Sequence, residues 1–482
     1  DITEKPSSWM KRLVSRMGEP MVRTSMMQAM KIMGGQYVLG RTIKEALKRG
    51  PAENKPGPRF SFDMLGEGAR TMADAKRYFD AYMMAIEAIG ADNLKKSEDQ
   101  RNVVEANGIS IKLSALHPRY SELQRDRVMN ELLPQVKTLC AAAAKYDMGL
   151  NIDAEEAERL DISLDIFEAL ARDPDLRNWQ GLGFVLQAYQ KRSPHVADWL
   201  IALGRDTGRK LMVRLVKGAY WDTEIKHAQQ MGLTDYPVYT RKCHTDLSYQ
   251  VCAKKLLDAR DAIYPQFATH NAYTVGLILE LAGNSNNAEG YEFQRLHGMG
   301  HLLYDQIEAV HGKRVPVRVY APVGAHKDLL PYLVRRLLEN GANSSFVNRF
   351  MDEKTPVNEL VQDTLKQSEA CNPYRHPEIP VPADIYIGKE ALPRKNSHGI
   401  ELTDVIGIAP LKETVAASNG KTWSGSAIVN GISGQGDLPV LNPATGEVVG
   451  HTVNTDAAQI DKAFATAAEH QRAWNRIGGD AR

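Results

Sequence analysis

Between residues 60 and 320 the chain alternates short β-prone runs with longer amphipathic stretches, and this alternation restricts its fold more than any other feature. The runs are 60–65, 109–113, 149–153, 183–187, 211–216, 266–269, 292–296 and 317–320. Two parallel strands can be joined only by a crossover long enough to hold a helix, so strand–helix alternation predicts a parallel sheet. Eight such units in succession predict an α/β chain closed into a (β/α)8 barrel. An open doubly wound sheet would carry a glycine-rich first turn, and no GxGxxG follows any of the runs.

The flanks have other textures. Residues 8–48 are rich in Met, Arg and Lys, and Met26, Met27, Met30 and Met33 recur at helical spacing. They predict an N-terminal helical arm whose methionines pack rather than bind. Three prolines and two glycines in 49–58 read as a linker. The expected division is therefore an arm and linker over 1–57, a barrel over 58–350, a connector over 351–437 and a further unit over 438–482. In that last unit Asn442-Pro443 and Thr445-Gly446 mark turns between two short strands, ahead of a helix through Phe464 and Trp474. So short a piece cannot bury much of a core and is expected to be the edge of something larger.

Bulk composition excludes several classes of partner. Sixty basic residues against fifty-nine acidic ones leave a net charge of +1, so no nucleic-acid partner is expected on electrostatic grounds. The four cysteines, Cys140, Cys243, Cys252 and Cys371, show no CxxC spacing. No disulfide or zinc framework is expected, and a reducing cytoplasm fits. No apolar run approaches the roughly 20 residues that span a bilayer, and Asp-Ile-Thr-Glu-Lys does not open a signal peptide.

Reactive groups in a (β/α)8 barrel project from the C-terminal ends of its strands. Here those ends are polar. Lys112, Asp153, Gln187 and Arg214 lie at or near four of them, and Arg214 leads into Lys217-Gly218-Ala219-Tyr220-Trp221. Thr269-His270-Asn271 follows the sixth run, Gln294 and Leu296 belong to the seventh, and Tyr320 ends the eighth. The amphipathic stretch beyond carries Arg335-Arg336 and Glu339. Convergence on one mouth predicts a ligand site. The cations Lys112, Arg214, Lys217, Arg335 and Arg336 would repel there unless carboxylates or an anionic ligand neutralised them. Arginine's fork suits a carboxylate in two-point contact, although a solvated helix face also accounts for the Arg335-Arg336 pair. His297 and His301 stand four apart, but the two glycines between them disfavour a regular helix, so no metal site is expected. Lys112 at a strand end would equally suit a Schiff-base aldolase; a regulatory or DNA-binding fragment is the non-enzymatic alternative.

Longer motifs decide between these. Phe-Asp-Met-Leu-Gly-Glu (62–67), Ile-Ser-Ile-Lys-Leu-Ser-Ala-Leu-His-Pro-Arg-Tyr (109–120), Asn-Ile-Asp-Ala-Glu-Glu (151–156), Arg-Leu-Val-Lys-Gly-Ala-Tyr-Trp (214–221), Phe-Ala-Thr-His-Asn (267–271) and Tyr-Leu-Val-Arg-Arg-Leu-Leu-Glu-Asn (332–340) resemble, in order, the proline dehydrogenase domain of proline utilization A proteins. The resemblance runs from about residue 8 to 350 and implies a distorted (β/α)8 barrel that binds FAD at its mouth and oxidises L-proline to pyrroline-5-carboxylate. It implies that Lys112, Arg335 and Arg336 hold the substrate carboxylate, and that Tyr320, Tyr220 and Leu296 pack around the proline ring. Asp153 would orient the site through Tyr320, and Glu67 would pair with Arg335 and gate the pocket. Arg214 would lie against the flavin and Gln187 near its pyrimidine ring. Lys217, Gly218, Ala219, Trp221, Thr240, Lys242, Thr269, His270, Asn271, Gln294 and Glu339 would line the rest of the FAD site. Electrons would pass to a membrane quinone, which implies a cytoplasmic protein with peripheral contact at the inner membrane. Residues 438–482 resemble the amino-terminal edge of an aldehyde dehydrogenase, which in this family is pyrroline-5-carboxylate dehydrogenase. The catalytic Cys of such a domain would lie beyond residue 482, so a truncated edge with no aldehyde dehydrogenase activity is expected, and the full-length protein is expected to be oligomeric.

Overall fold

The computed structural model describes residues 35–53, 59–95, 102–283, 290–311, 315–324, 332, 335, 363–388, 394–429, 432–433 and 436–482. Most of the expected helical arm, Arg336 and Glu339 lie outside these residues. The chain divides into two compact units, one running to Asp404 and one from Val405 to Arg482.

Eight parallel strands close the barrel in sequence order: β1 (Arg59–Met64), β2 (Gly108–Ile111), β3 (Leu150–Ile152), β4 (Leu182–Gln187), β5 (Leu211–Val216), β6 (Ile263–Ala268), β7 (Glu292–Leu296) and β8 (Val317–Val323). β1 pairs with β8 from Arg59↔Arg318 through Met64↔Val323, which joins the ends of the sheet. Successive side chains on a strand point to opposite faces. Phe60, Phe62, Ile109, Ile111, Val213, Leu215, Phe267, Phe293, Val319 and Ala321 are all buried in one continuous apolar core. The alternate positions, Ser61, Ser110, Asn151, Arg214, Gln266, Glu292 and Arg318, are buried and polar. They hydrogen-bond across the barrel, so the interior is a polar column instead of the usual layers of branched aliphatics.

The helices supply the outer layer. The helix Leu160–Arg172 buries Leu160, Ile162, Ile166, Phe167 and Leu170, a stripe at helical spacing. The helix Met72–Asn93 begins with a capping box between Thr71 and Asp74. The helices Ser193–Thr207 and Trp221–Met231 end at left-handed Gly208 and Gly232.

Most strand boundaries fall within two residues of the sequence reading; three larger differences from it have identifiable reasons. β8 continues past Tyr320 to Val323, and β6 begins at Ile263, three residues early. Pro322 and Pro265 lie within these strands; proline lacks an N–H donor, so a run that contains one reads short. The first part of the 49–58 linker belongs instead to the helix Ile43–Glu53. Ile43 and Ala46 are buried, and a Cβ at Gly50 would lie 3.0 Å from the Phe60 ring, so packing holds a segment whose composition signals a break.

In the second unit, Leu438–Leu441 and Val448–Thr452 pair antiparallel around the expected turn. The strand Trp423–Gly425, from the stretch read as connector, adds parallel to Val448–Thr452. The helix Ala457–Arg476 follows, capped by Asp456 and Gln459. Leu438, Val440, Phe464 and Trp474 are exposed.

Candidate active site

The top of the polar column is an ion-pair array. Lys112, one residue past β2, donates to Asp63 Oδ1 at 3.0 Å, Asp153 Oδ2 at 3.2 Å and Tyr320 OH at 3.4 Å. Three acceptors satisfy all three N–H groups of its ammonium. Tyr320 donates its hydroxyl to Asp153 Oδ2 at 2.7 Å. Arg214 donates from Nη1 to Asp153 Oδ1 at 2.7 Å and from Nη2 to Ser110 Oγ at 2.7 Å, and its guanidinium lies 5.0 Å from the centre of the Tyr320 ring. Thus Lys112, Asp153, Arg214 and Tyr320, taken from four strands, meet around one carboxylate.

The electrostatics follow from this pairing. Burial pushes the Lys112 ammonium toward neutrality, but Asp63, Tyr320 and Asp153 outweigh it and hold the group protonated well above the usual lysine range. A charged lysine with every donor engaged is a poor Schiff-base nucleophile, which counts against the aldolase alternative. Burial likewise raises Asp153, and Lys112 with Arg214 outweighs it, so its carboxyl falls below the ordinary range. Asp63 is more deeply enclosed, and burial prevails there and raises it.

Nearby, Arg335 grips Glu67 with both arms, Nη1 to Oε1 at 2.7 Å and Nη2 to Oε2 at 2.9 Å. The Arg335 guanidinium lies 5.5 Å from the centre of the Tyr220 ring. Burial lowers the Arg335 pKa, yet Glu67 reverses the shift; the same pairing holds Glu67 below the usual carboxylate range against its own desolvation. Both side chains keep partial exposure, 19% and 27%. An ion pair at this depth can exchange partners without stranding a charge in the interior.

The remaining candidates lie on β4 and β7, just past β5 and β6, and at the start of the helix Lys242–Asp258. Gln187 donates from Nε2 to the carbonyl of Glu155 at 2.8 Å. Lys217 and Lys242 share Asp246, each at 2.5 Å. Gly218 and Ala219 are exposed beyond β5, and Trp221 donates its indole N–H to the Tyr239 carbonyl at 2.8 Å. Thr240 Oγ1 accepts from the His376 backbone N–H at 3.0 Å. Thr269 Oγ1 accepts from the Asn271 N–H, and His270 Nε2 accepts from the N–H of Leu296, the last residue of β7. Gln294 donates to Glu292 at 3.2 Å, whereas its Oε1 is buried with no hydrogen-bond partner among the described residues. Arg214 Nε is in the same condition. His301 Nε2 lies 3.4 Å from Arg295 Nη1, and His297 is buried.

Of the two expected means of neutralising the cations, the structure shows carboxylates. Among the described residues, Asp63, Asp153, Glu67 and Asp246 neutralise Lys112, Arg214, Arg335 and Lys217 from within the chain. Sequence inspection also passed over Asp63, Ser61 and Ser110, which brace Lys112 and Arg214. Their signal was present as period-two polar positions inside two apolar runs: Ser61 and Asp63 in one, Ser110 and Lys112 in the next.

A closed (β/α)8 barrel with charged and aromatic groups gathered at the C-terminal end of its strands is the architecture of a barrel enzyme. The chain belongs to the proline dehydrogenase family, whose model matches residues 46–349. It is 49% identical over 474 residues to the bifunctional protein PutA of Klebsiella aerogenes, an alignment that covers 96% of this chain and 35% of that one. Among solved structures, proline utilization A of Bradyrhizobium japonicum, as the D779W mutant, superposes with a TM-score of 0.73 at 52% identity, covering 84% of this chain and 40% of that one. The Bdellovibrio bacteriovorus proline utilization A inactivated by N-propargylglycine gives 0.80 at 26% identity, covering 94% and 47%. The chain thus spans about a third of the length of the curated PutA relatives it matches, and its barrel is a proline dehydrogenase domain.

Proposed function

We propose that the barrel oxidises L-proline to pyrroline-5-carboxylate with FAD bound at its mouth, and that the electrons pass on to a membrane quinone. The observation that carries this reading is the Lys112–Asp153–Arg214–Tyr320 array beside the two-point Arg335–Glu67 pair. Glu67 fills the Arg335 fork with a carboxylate, the group an amino acid would present there. In the proposed complex Arg335, with Arg336, takes the proline carboxylate, Lys112 gives up one of its present partners to join them, and Tyr220, Tyr320 and Leu296 border the proline ring. Asp153 fixes the Tyr320 hydroxyl and keeps Lys112 charged. The ring amine must be neutral to lose hydride readily.

The mouth fits FAD. Arg214 Nε and Gln294 Oε1 are buried polar atoms with no hydrogen-bond partner among the described residues, and Lys217 and Lys242, which share Asp246, would offer cations to a pyrophosphate. Gln187, Arg214, Lys217, Gly218, Ala219, Trp221, Thr240, Lys242, Thr269, His270, Asn271 and Gln294 would hold it, with Glu339. Bound FAD supplies the acceptor for the hydride that leaves the ring carbon beside nitrogen. Residues 438–482 are proposed as the edge of a pyrroline-5-carboxylate dehydrogenase domain, in a longer oligomeric protein that meets the inner membrane peripherally. Among the described residues no helix is long and apolar enough to cross a membrane.

The test is an absorption spectrum of the protein reconstituted with FAD, before and after anaerobic addition of proline. Flavin bands that bleach with proline are expected; failure to retain flavin, or bands indifferent to proline, would overturn the reading. Arg335→Ala is expected to weaken proline binding by about ten- to a hundredfold, the worth of a charged two-point contact, while flavin content is kept. Equal loss of both would contradict the assigned role.

A further inference from the structure

Beside the helix start that carries Lys242, three soft or borderline ligand atoms converge from distant parts of the sequence. Cys243 and His244 stand in the first turn of the helix Lys242–Asp258, and Cys371 follows the helix Thr364–Glu369. The two Sγ atoms are 3.7 Å apart. Both of them and a ring nitrogen of His244 lie within 4.8 Å of one another, and all three residues are half-buried. His244 Nε2 is buried with no hydrogen-bond partner among the described residues.

We propose that Cys243, His244 and Cys371 form a binding site for a borderline divalent cation of the zinc class, with a fourth position open to water or an added ligand. The spacing suits this use. Two sulfurs on a tetrahedral metal at about 2.3 Å stand about 3.8 Å apart, whereas a disulfide requires about 2.05 Å. Binding converts two thiols and one cation into two metal–thiolate bonds and two released protons.

The consequence is mechanical. The cation ties the segment after the barrel to the helix that carries Lys242 and Asp246. The same two parts already meet where Arg241 donates to the carbonyls of Pro373 and Tyr374 and where His376 donates to Thr240. The site therefore braces one wall of the mouth, though its existence does not rest on the proline reading.

The test uses the whole chain, reduced and stripped of metal, titrated with Zn2+ against a chromophoric chelator. One tightly bound zinc per chain is expected. Cys243→Ser, Cys371→Ser and His244→Ala should each weaken it by at least about a hundredfold, the upper end of what loss of an outer-shell partner alone costs. Because a variant could be misfolded, the unaltered protein is also alkylated with and without Zn2+ and its cysteine peptides mapped. Zinc should slow modification of Cys243 and Cys371, and a chelator should restore it. Stoichiometric binding that survives the cysteine substitutions would overturn the proposal. So would protection reversed by a reductant but not by a chelator, which would mark a disulfide, or failure to bind zinc at all.

Discussion

Glu224 is a carboxylate enclosed away from water, 4% exposed, that accepts the backbone N–H of Ala157 at 2.7 Å. Burial pushes its pKa up to about 7. Because the folded value lies above the unfolded one, the proton stabilises the fold. That contribution is complete below the unfolded pKa near 4.5 and is lost as pH rises through about 7. Glu224→Gln keeps an acceptor for Ala157 and removes the titration. Unfolding in urea at a series of pH values should show the variant's stability changing less between pH 5 and 8, by on the order of 3 kcal/mol; an unaltered slope would contradict the assignment. Glu155 shifts the same way, to about 6. Neither group was legible as unusual in the sequence, where both are glutamates in charged stretches; only enclosure makes them so. Lys112, Asp153 and Arg214 were legible, because a charge at the end of an apolar run has few other uses. Asp63 was legible only as an inward-facing polar position; that its partner is Lys112 comes from the fold.

The turn from β5 to the helix Trp221–Met231 shows how an element aims its residues. Gly218 adopts φ +141°, and a Cβ there would lie 2.4 Å from the ring of Tyr189. Backbone strain and overlap with a buried aromatic both oppose a side chain. Gly208, the C-cap of the helix Ser193–Thr207, also has positive φ, +65°, but open space around it. Gly208→Ala should cost about 1 kcal/mol, and Gly218→Ala about 2–4 kcal/mol with weaker flavin retention. Thermal melts of the two variants compare them directly. Equal melting temperatures would mean that Tyr189 does not fix the turn. The glycine was visible in Lys-Gly-Ala-Tyr-Trp, but Tyr189 comes from the end of β4, and no local pattern links the two.

At the scale of the molecule, closure of the barrel is secured at the foot of the polar column. Glu292 on β7 accepts from Arg318 on β8 at 2.6 Å and from Arg59 on β1 at 3.2 Å, and Arg318 also donates to the carbonyls of Phe60, Ala106 and Val104. Removing the carboxylate takes the counter-charge from the buried Arg318 guanidinium and one of two carboxylate partners from the half-buried Arg59, which keeps Glu105 at 3.3 Å. Glu292→Ala should therefore destabilise by about 3–5 kcal/mol, read as a lower urea midpoint, and Glu292→Gln, which keeps an acceptor, should lose less. A midpoint unchanged in the alanine variant would show that the apolar outer layer alone holds the barrel shut. The second unit, from Val405, buries little of its apolar surface, and its strand Trp423–Gly425 pairs with residues 25 and more positions onward.

The sequence by itself determined the count and order of the strands, the helical crossovers between them and the polar character of the barrel mouth. Each of these is written in local periodicity, which a strand or helix imposes on its own residues. Tertiary structure alone decided which carboxylate neutralises which cation, how far β6 and β8 extend past their prolines, and that Cys243 meets Cys371. Such pairings join residues far apart along the chain, and nothing in either local segment encodes the partner: closure of the sheet brings them together, and burial then gives the contact its energy.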